Sequence, residues 1–366
     1  FKRTYARELP GGVLENWFDV CVRVVEGVFT IQKHHVKKLH IPWDDRKAQR
    51  TAQIMFERMF EMKWLPPGRG LWAMGTSMIE EKGSAPLNNC GFTSTKNIST
   101  DFSGPFCWLM DFSMLGVGCG GDCKGAGTIT LKQPVENNGV TFVVPDSREG
   151  WVETVRIVLD AYAKGKSIPE FDYSEVRPKG SPILGFGGTA SGAQPLIELV
   201  EDLQKILDKE VGKPISSTAI VDVFNVIGRA VVAGGIRRTA EIMFGDPSDT
   251  DFARLKDRDE INCMEDRLKK LKNSSDALKL QEEIKNHPVN KYRWASNNSL
   301  MATIGMDYSK FVDSISTTGE PGFIWLDNMK KFGRLNDAAN WKDAAAEGCN
   351  PCGEQTLEDR EICNLV

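Results

Sequence analysis

Cys349-Asn350-Pro351-Cys352-Gly353-Glu354 is the stretch on which the reading of this chain turns, with Cys363 eleven residues beyond Cys352. The spacing of Cys349 and Cys352 is that of a dithiol redox site or of half a zinc site. Backbone geometry offers a second reading. In an extended segment alternate side chains share a face, so Asn350, Cys352 and Glu354 project together while Cys349 points the other way. Pro351 keeps Asn350 out of the helical region, and Gly353 permits a tight tip and the close approach of a substrate. An amide, a thiol and a carboxylate then share one surface of a rigid loop, which is a catalytic set. The chain from Gly348 to Val366 is expected to be that loop.

Further upstream, Leu87-Asn88-Asn89-Cys90 leads into a strand predicted over Phe92–Thr95, and Cys90 alone would read as a core cysteine. Ser113–Gly127 holds six glycines in fifteen residues, includes Lys124, and runs into strand-like Thr128–Leu131. Such a run suits backbone amides wrapped around a phosphate, or a hinge. Its Gly116-x-Gly118 lacks the strand-to-helix context of a dinucleotide fingerprint. Gly185–Gly192 reads as a turn, and Arg237 and Arg238 follow the helix stop Gly234-Gly235, suited to phosphate or to carboxylate partners. A zinc site would have to join Cys119 and Cys123 to Cys349 and Cys352. None of the four histidines, His34, His35, His40 and His287, lies near either pair, and no metal is expected. Cys21, Cys107 and Cys263 read as isolated small thiols.

The whole chain of 366 residues carries 46 basic against 50 acidic side chains, a formal charge of −4. That balance leaves no electrostatic footprint for nucleic acid. No apolar run approaches the ~20 residues that span a bilayer, so neither nucleic acid nor membrane is an expected partner. Nine cysteines are an odd number and too few for a disulfide scaffold, and a reducing, cytoplasmic compartment is expected. Helices are predicted from Asp44 to about Lys63, from Glu149 to Tyr162, from Pro195 to Lys209, and from the Ser216/Ser217 caps to Gly234. Short strands are predicted at Thr141–Val144, Ser299–Thr303 and Gly322–Leu326. Glu265–Lys272 and Ala277–Asn286 read as a solvated helical hairpin inside a charged stretch. Strands separated by helices indicate an α/β arrangement.

Several of these segments share a family likeness. Asn350-Pro351-Cys352-Gly353-Glu354 with Cys363, the pair Asn89-Cys90, and Gly234-Gly-Ile-Arg-Arg-Thr-Ala-Glu241 resemble a ribonucleotide reductase large chain. The closer likeness is to the adenosylcobalamin-dependent ribonucleoside-triphosphate reductases. Ser113–Gly127, Gly185–Gly192, Arg293–Ser299 and Gly319–Phe323 share it, so that it runs from about Arg3 to Val366. The resemblance implies the N-terminal half of a ten-stranded α/β barrel with a central finger loop. Residues 1–65 would be a helical N-terminal region, and residues 66–347 the first half-barrel with its effector loops and a charged helical insertion near 257–290. Residues 348–366 would be the finger loop.

It further implies that Cys352 carries a thiyl radical and that Glu354 is the general base on the substrate 3′-hydroxyl. Cys90 would protonate the departing 2′-hydroxyl and end in a disulfide with Cys363, and Asn350 would hydrogen-bond substrate or Glu354. Thr76, Asn89 and Gly116 are expected at the substrate; Gly118, Lys124, Gly125 and Arg293 at a deoxynucleotide effector. The implied cofactor is adenosylcobalamin, the substrate a ribonucleoside triphosphate or diphosphate, and the reductant thioredoxin-like. Complete members have about twice this length, so the second half-barrel is expected on a complementing chain or a C-terminal half, and this chain alone is expected to be inactive. Two other functions stay open: a thiol–disulfide oxidoreductase using Cys349 and Cys352, and a zinc-bound nucleotide sensor.

Overall fold

Gly118–Asp122, Gly-Cys-Gly-Gly-Asp, is a fully buried strand at the heart of a sheet, where the sequence predicts a phosphate-wrapping loop. The computed structural model describes all residues except 3, 184–188, 234–239, 272–274, 334–336 and 366. Arg237, Arg238 and the first part of the Gly185–Gly192 turn lie outside the described residues. Among those described, the sheet is built from β1 (Cys90–Thr93), β2 (Gly118–Asp122), β3 (Glu241–Gly245), β4 (Ser296–Met301) and β5 (Gly322–Ile324), all parallel. A short hairpin follows, β6 (Gly348–Cys349) against β7 (Thr356–Leu357), and then β8 (Glu361–Cys363), which runs antiparallel to β1. The sheet order is β8-β1-β2-β3-β4-β5. The segment Gly348–Cys363 is therefore not a plain loop: its backbone closes a hairpin and adds an edge strand.

Close packing on both faces explains why glycine forms a strand here. On the inner face a Cβ at Gly120 would stand 2.3 Å from the Cys349 carbonyl oxygen, so only glycine lets the hairpin lie on β2. On the outer face a Cβ at Gly121 would meet the Phe224 ring at 2.7 Å. Phe224 belongs to a long helix, Ser217–Ala233, which covers the sheet together with Gly104–Met114. The latter helix, which sequence patterning did not reveal, starts with Pro105 in its first turn and is apolar around most of its circumference, so it shows no amphipathic period. Asp222 and Asn225 interrupt the apolar run of Ser217–Ala233, yet both are buried and paired, Asp222 with Arg293 and Asn225 with Ser296.

Other expectations match the structure closely. Arg148–Lys164 is capped by Ser147, whose Oγ accepts from Gly150 N at 3.0 Å, and ends at left-handed Gly165. Gln194–Asp208 packs along Ser217–Ala233. Thr141–Val143 is a strand, but it pairs in parallel with Glu170–Asp172 outside the main sheet. Thr128–Leu131 makes only isolated bridges, Thr130 to Pro214 and Leu131 to Val211. The charged stretch forms helices Asp259–Lys270 and Ser275–Asn286.

The chain divides into two compact units, one built from Phe1–Asn89 and the extreme C-terminus, the other from residues between Cys90 and Cys363. In the first, helices Trp17–Lys38 and Asp45–Phe60 share a core of Val20, Cys21, Val24, Val25, Met59 and Leu71. Asp44 caps the second helix, accepting from Arg46 N and Lys47 N. Among the described residues no helix is long and apolar enough to cross a membrane.

Candidate active site

Register places the first two candidates together. In the antiparallel ladder of β1 and β8, Cys90 stands directly opposite Cys363. Both thiols are buried and belong to the inner-face cluster with Phe92, Ile242, Phe244, Ile324, Cys349 and Leu357. The hairpin of β6 and β7 brings the third thiol, since Cys352 at its tip lies close enough to Cys90 to interact with it electrostatically. Burial pushes the Cys90 thiol well above the ordinary thiol range, with neighbouring Cys363 and Cys352 adding to the effect. Cys90 is therefore a neutral thiol that holds its proton, next to two further thiols. All nine cysteines are free.

The tip departs from the extended geometry expected of it. Gly353 takes φ 82°, and its amide donates to the Asn350 carbonyl at 2.9 Å, closing a tight turn. Asn350 does not share an exposed face with Cys352 and Glu354: it is fully buried beneath the tip while they are exposed. Its Nδ2 donates to Glu354 Oε1 at 2.9 Å and to Cys363 Sγ at 3.6 Å, and its Oδ1 accepts from Gln355 N at 3.1 Å. A short amide side chain that satisfies the turn's own backbone is what Asn does well at such positions. The result still brings amide, carboxylate and thiols together, with Asn350 as the hub. Cys349 is buried at 1% exposure in the same apolar cluster as Cys90 and Cys363, rather than pointing away from the site. Burial pushes its thiol up to about 12, with Glu354 and Cys352 adding.

The remaining candidates each have a definite place. A Cβ at Gly118 would stand 3.4 Å from Cys90 Sγ, so this glycine leaves room over the thiol. Gly116 turns the chain at φ 77° into β2. Lys124 Nζ donates to Glu347 Oε2 at 2.9 Å and to the Glu347 carbonyl at 3.1 Å, and Gly125 N donates to Thr95 Oγ1 at 2.9 Å. Arg293 makes a bidentate pair with buried Asp222, at 2.7 and 2.9 Å, and also donates to the Leu255 carbonyl. These residues answer to separate partners within the second unit. Thr76 and Asn89 belong to the first unit: Thr76 Oγ1 donates to the Ala73 carbonyl at 2.6 Å, and Asn89 Oδ1 accepts from Leu365 N at 3.3 Å. Among the described residues no group of three or more His, Cys, Asp or Glu is placed to hold a metal ion.

Sequence reasoning passed over the frame around the site. Asp122, with no exposed surface, accepts from Ser94 Oγ, Thr95 N and Thr95 Oγ1 at 2.7, 2.8 and 2.9 Å. Asp359 accepts from Ser94 N at 2.8 Å, which ties the turn before β8 to the end of β1. The only signal available was the polar cluster Thr93-Ser94-Thr95 after an apolar strand, which by itself marks an ordinary strand end.

A parallel α/β sheet whose inner face carries three converging thiols is the arrangement that a thiol-based radical reductase of ribonucleotides needs, and comparison with known proteins bears on that class directly. The family model "Ribonucleotide reductase alpha domain" matches residues 1–76, and "B12-dependent ribonucleotide reductase, insertion domain" matches residues 124–207. An adenosylcobalamin-dependent ribonucleoside-triphosphate reductase of Euglena gracilis is 47% identical over 100% of this chain and 47% of its own length. A probable enzyme of the same description from Dictyostelium discoideum is 44% identical, again over 100% of the chain and 47% of its own. A crystal structure of a B12-dependent (class II) ribonucleotide reductase superposes with a TM-score of 0.76 at 29% identity, covering 99% of this chain and 54% of that one. In sequence and fold the chain is similar to the ribonucleotide reductase large chains, and among them to the adenosylcobalamin-dependent ribonucleoside-triphosphate reductases. It spans about half the length of the curated relatives it matches.

Proposed function

We propose that this chain carries the thiol machinery of a ribonucleotide reductase, converting a ribonucleoside triphosphate or diphosphate to its 2′-deoxy form. One observation carries the reading above all: Cys90 faces Cys363 across a strand pair while Cys352, on a hairpin tip, reaches the same thiol. In the proposed reaction Cys352, as a thiyl, takes the hydrogen from C3′ of the ribose. Glu354 accepts the 3′-hydroxyl proton, with Asn350 orienting its carboxylate through the 2.9 Å hydrogen bond. Cys90 gives its proton to the departing 2′-hydroxyl, which leaves as water. The Cys90 and Cys363 thiols supply two electrons and finish as a disulfide, and the C3′ hydrogen returns from Cys352. A high pKa suits Cys90 to that role, because a neutral thiol is the form that can donate a proton.

Adenosylcobalamin, when bound, supplies the one-electron oxidising equivalent that makes the Cys352 thiyl. Cys352 fits such a role, being exposed at the tip while Cys90 and Cys363 are buried. The apolar inner face and the close-packed hairpin restrict water around the thiols. In this reading the five parallel strands are the first half of a ten-stranded barrel, completed by a C-terminal half or a complementing chain. A dithiol protein of the thioredoxin kind would reduce the Cys90–Cys363 disulfide, and the setting would be cytoplasmic. Substrate contacts are proposed at Thr76, Asn89 and Gly116, and effector contacts at Gly118, Lys124, Gly125 and Arg293. An effector phosphate at Lys124 would have to compete with Glu347.

Substitution in the complete enzyme tests the reading. Cys352→Ala is expected to lower turnover by roughly 10⁴-fold or more, as removal of a covalent catalytic group does, while Cys349→Ser leaves it largely intact. Turnover that survives Cys352→Ala, or is lost in Cys349→Ser with the fold preserved, overturns the assignment and returns the dithiol pair to consideration. By itself the 366-residue chain is expected to give no turnover with adenosylcobalamin and a dithiol.

A further inference from the structure

The hairpin that carries Cys352 is fastened at both ends. At its tip Asn350 binds Glu354 and Cys363. At its root Glu347 N donates to the Leu357 carbonyl at 2.8 Å, the rung that opens the hairpin. The Glu347 side chain is gripped from two other segments. Lys124 Nζ reaches Oε2 at 2.9 Å and the Glu347 carbonyl at 3.1 Å, while Lys96 Nζ reaches Oε1.

Neither lysine hangs from a loose loop. Lys124 follows Asp122 at the end of β2, and its ammonium lies 3.5 Å from Asp122 Oδ2. Lys96 follows Ser94 and Thr95, which Asp122 and Asp359 hold from two sides. The Glu347 carboxylate is 17% exposed and the two lysines 34% and 42%. A pair of mobile surface side chains stabilises little. Here two cations meet one mostly covered carboxylate, and the backbone beside it lies against Gly120 with no slack.

The ends of β1 and β2 thus hold the root of the finger, and the start of β1 meets its tip. We infer that Lys96 and Lys124 are positioning residues for the finger: through Glu347 they set where the hairpin enters the inner face and so where Cys352 stands against Cys90. The importance of that position rests on the reductase reading, whereas the anchoring itself does not.

Amide hydrogen exchange on this chain tests the anchoring without any turnover. Glu347→Gln, and separately Lys96→Ala with Lys124→Ala, are expected to speed exchange at the amides of Glu347, Asn350 and Gly353 by about 10-fold. Amides of β3 and β4 should stay within about 2-fold of the parent. Lys124→Glu alone should loosen the hairpin further, because it sets a carboxylate beside Glu347 and Asp122. Salt adds a readout that simple packing would not move. At 1 M, where the screening length falls to about 3 Å, parent exchange should rise towards that of Glu347→Gln, whose own rate stays flat.

Unchanged hairpin exchange in Glu347→Gln, or loosening spread evenly over the sheet, overturns the anchoring. So does a Lys124→Glu hairpin that exchanges no faster than the parent. If exchange moves as expected while Cys352→Ala retains turnover in the complete enzyme, the anchor stands and the reductase reading falls.

Discussion

The five parallel strands present two faces that differ in how fully their buried polar groups are partnered. On the inner face the polar side chains hold one another: Cys90 contacts Cys352 and Cys363, and Asn350 binds both Glu354 and Cys363. On the outer face Glu241 is 2% exposed, and neither carboxylate oxygen has a hydrogen-bond partner among the described residues. The Nδ2 of Asn298 on the neighbouring strand is likewise unpartnered, although its Oδ1 accepts from Ser296 Oγ at 2.9 Å. Burial pushes the Glu241 carboxyl well above the usual carboxylate range. One face gathers groups for chemistry. The other tolerates a polar group inside a packing layer.

The sharpest break between the faces should come from oxidation. Directly opposed residues of an antiparallel pair have Cα atoms about 4.5–5.5 Å apart, inside the range that a disulfide spans. Cys90 and Cys363 meet that condition. Cys119 and Cys123 share the outer side of β2 and its extension but stand four residues apart along the chain, roughly 13 Å in an extended strand. Mild oxidation with diamide should therefore join Cys90 to Cys363 at least about 100-fold faster than any bond involving Cys119, which is buried and inert. Peptide mapping by mass spectrometry reads the result. A Cys119 disulfide forming at a similar rate would remove the distinction.

Much of the inner face was legible beforehand, and the outer face was not, for a physical reason. Asn350, Cys352 and Glu354 are residue types whose chemistry shows at short spacing, so their grouping could be read along the chain even though the tight turn at Gly353 could not. Cys90 and Cys363 are 273 positions apart, and the family likeness, not their spacing, joined them ahead of the register that sets them opposite. By contrast Gly118–Asp122 and Glu241–Gly245 carry no alternating pattern, because both of their faces are buried, and so neither reads as a strand. The Gly104–Met114 helix hid for the same reason. Glu347 reads as an ordinary charge along the chain and Lys124 as a candidate phosphate contact, and only the fold brings the two together.

A smaller effect separates the faces by what blocks them. Alanine at Gly120 would press on the Cys349 carbonyl, a backbone atom that cannot yield unless the hairpin shifts. Alanine at Gly121 would press on the Phe224 ring and the Met243 sulfur, at 2.7 and 2.9 Å, and side chains can repack. Each substitution is expected to destabilise by about 1–3 kcal/mol, with Gly120→Ala at the upper end, read from urea midpoints at constant slope. The distinguishing measurement is labelling of Cys349 by iodoacetamide. Gly120→Ala should expose this thiol by displacing the hairpin, whereas Gly121→Ala should leave it protected.

The smallest effect concerns Glu241, and its sign follows from proton linkage. The slope of unfolding free energy with pH is proportional to the protons bound by the unfolded state minus those bound by the folded state. Above about pH 4.3, the ordinary glutamate value, the unfolded carboxyl ionises while the folded one stays protonated. The folded state then binds more protons, so stability falls as pH rises through the window from that value up to the raised folded value. A glutamine side chain has nearly the same shape and no proton to lose. Glu241→Gln should thus match the parent near pH 4 and exceed it at higher pH, with the gap widening until the folded carboxyl ionises. Urea unfolding of both proteins across that range checks it. A gap that stays constant, or a variant less stable at pH 8, would mean that the carboxylate is ionised and partnered in the folded protein. The outer face would then hold its polar groups as the inner face does, and the contrast between them would close.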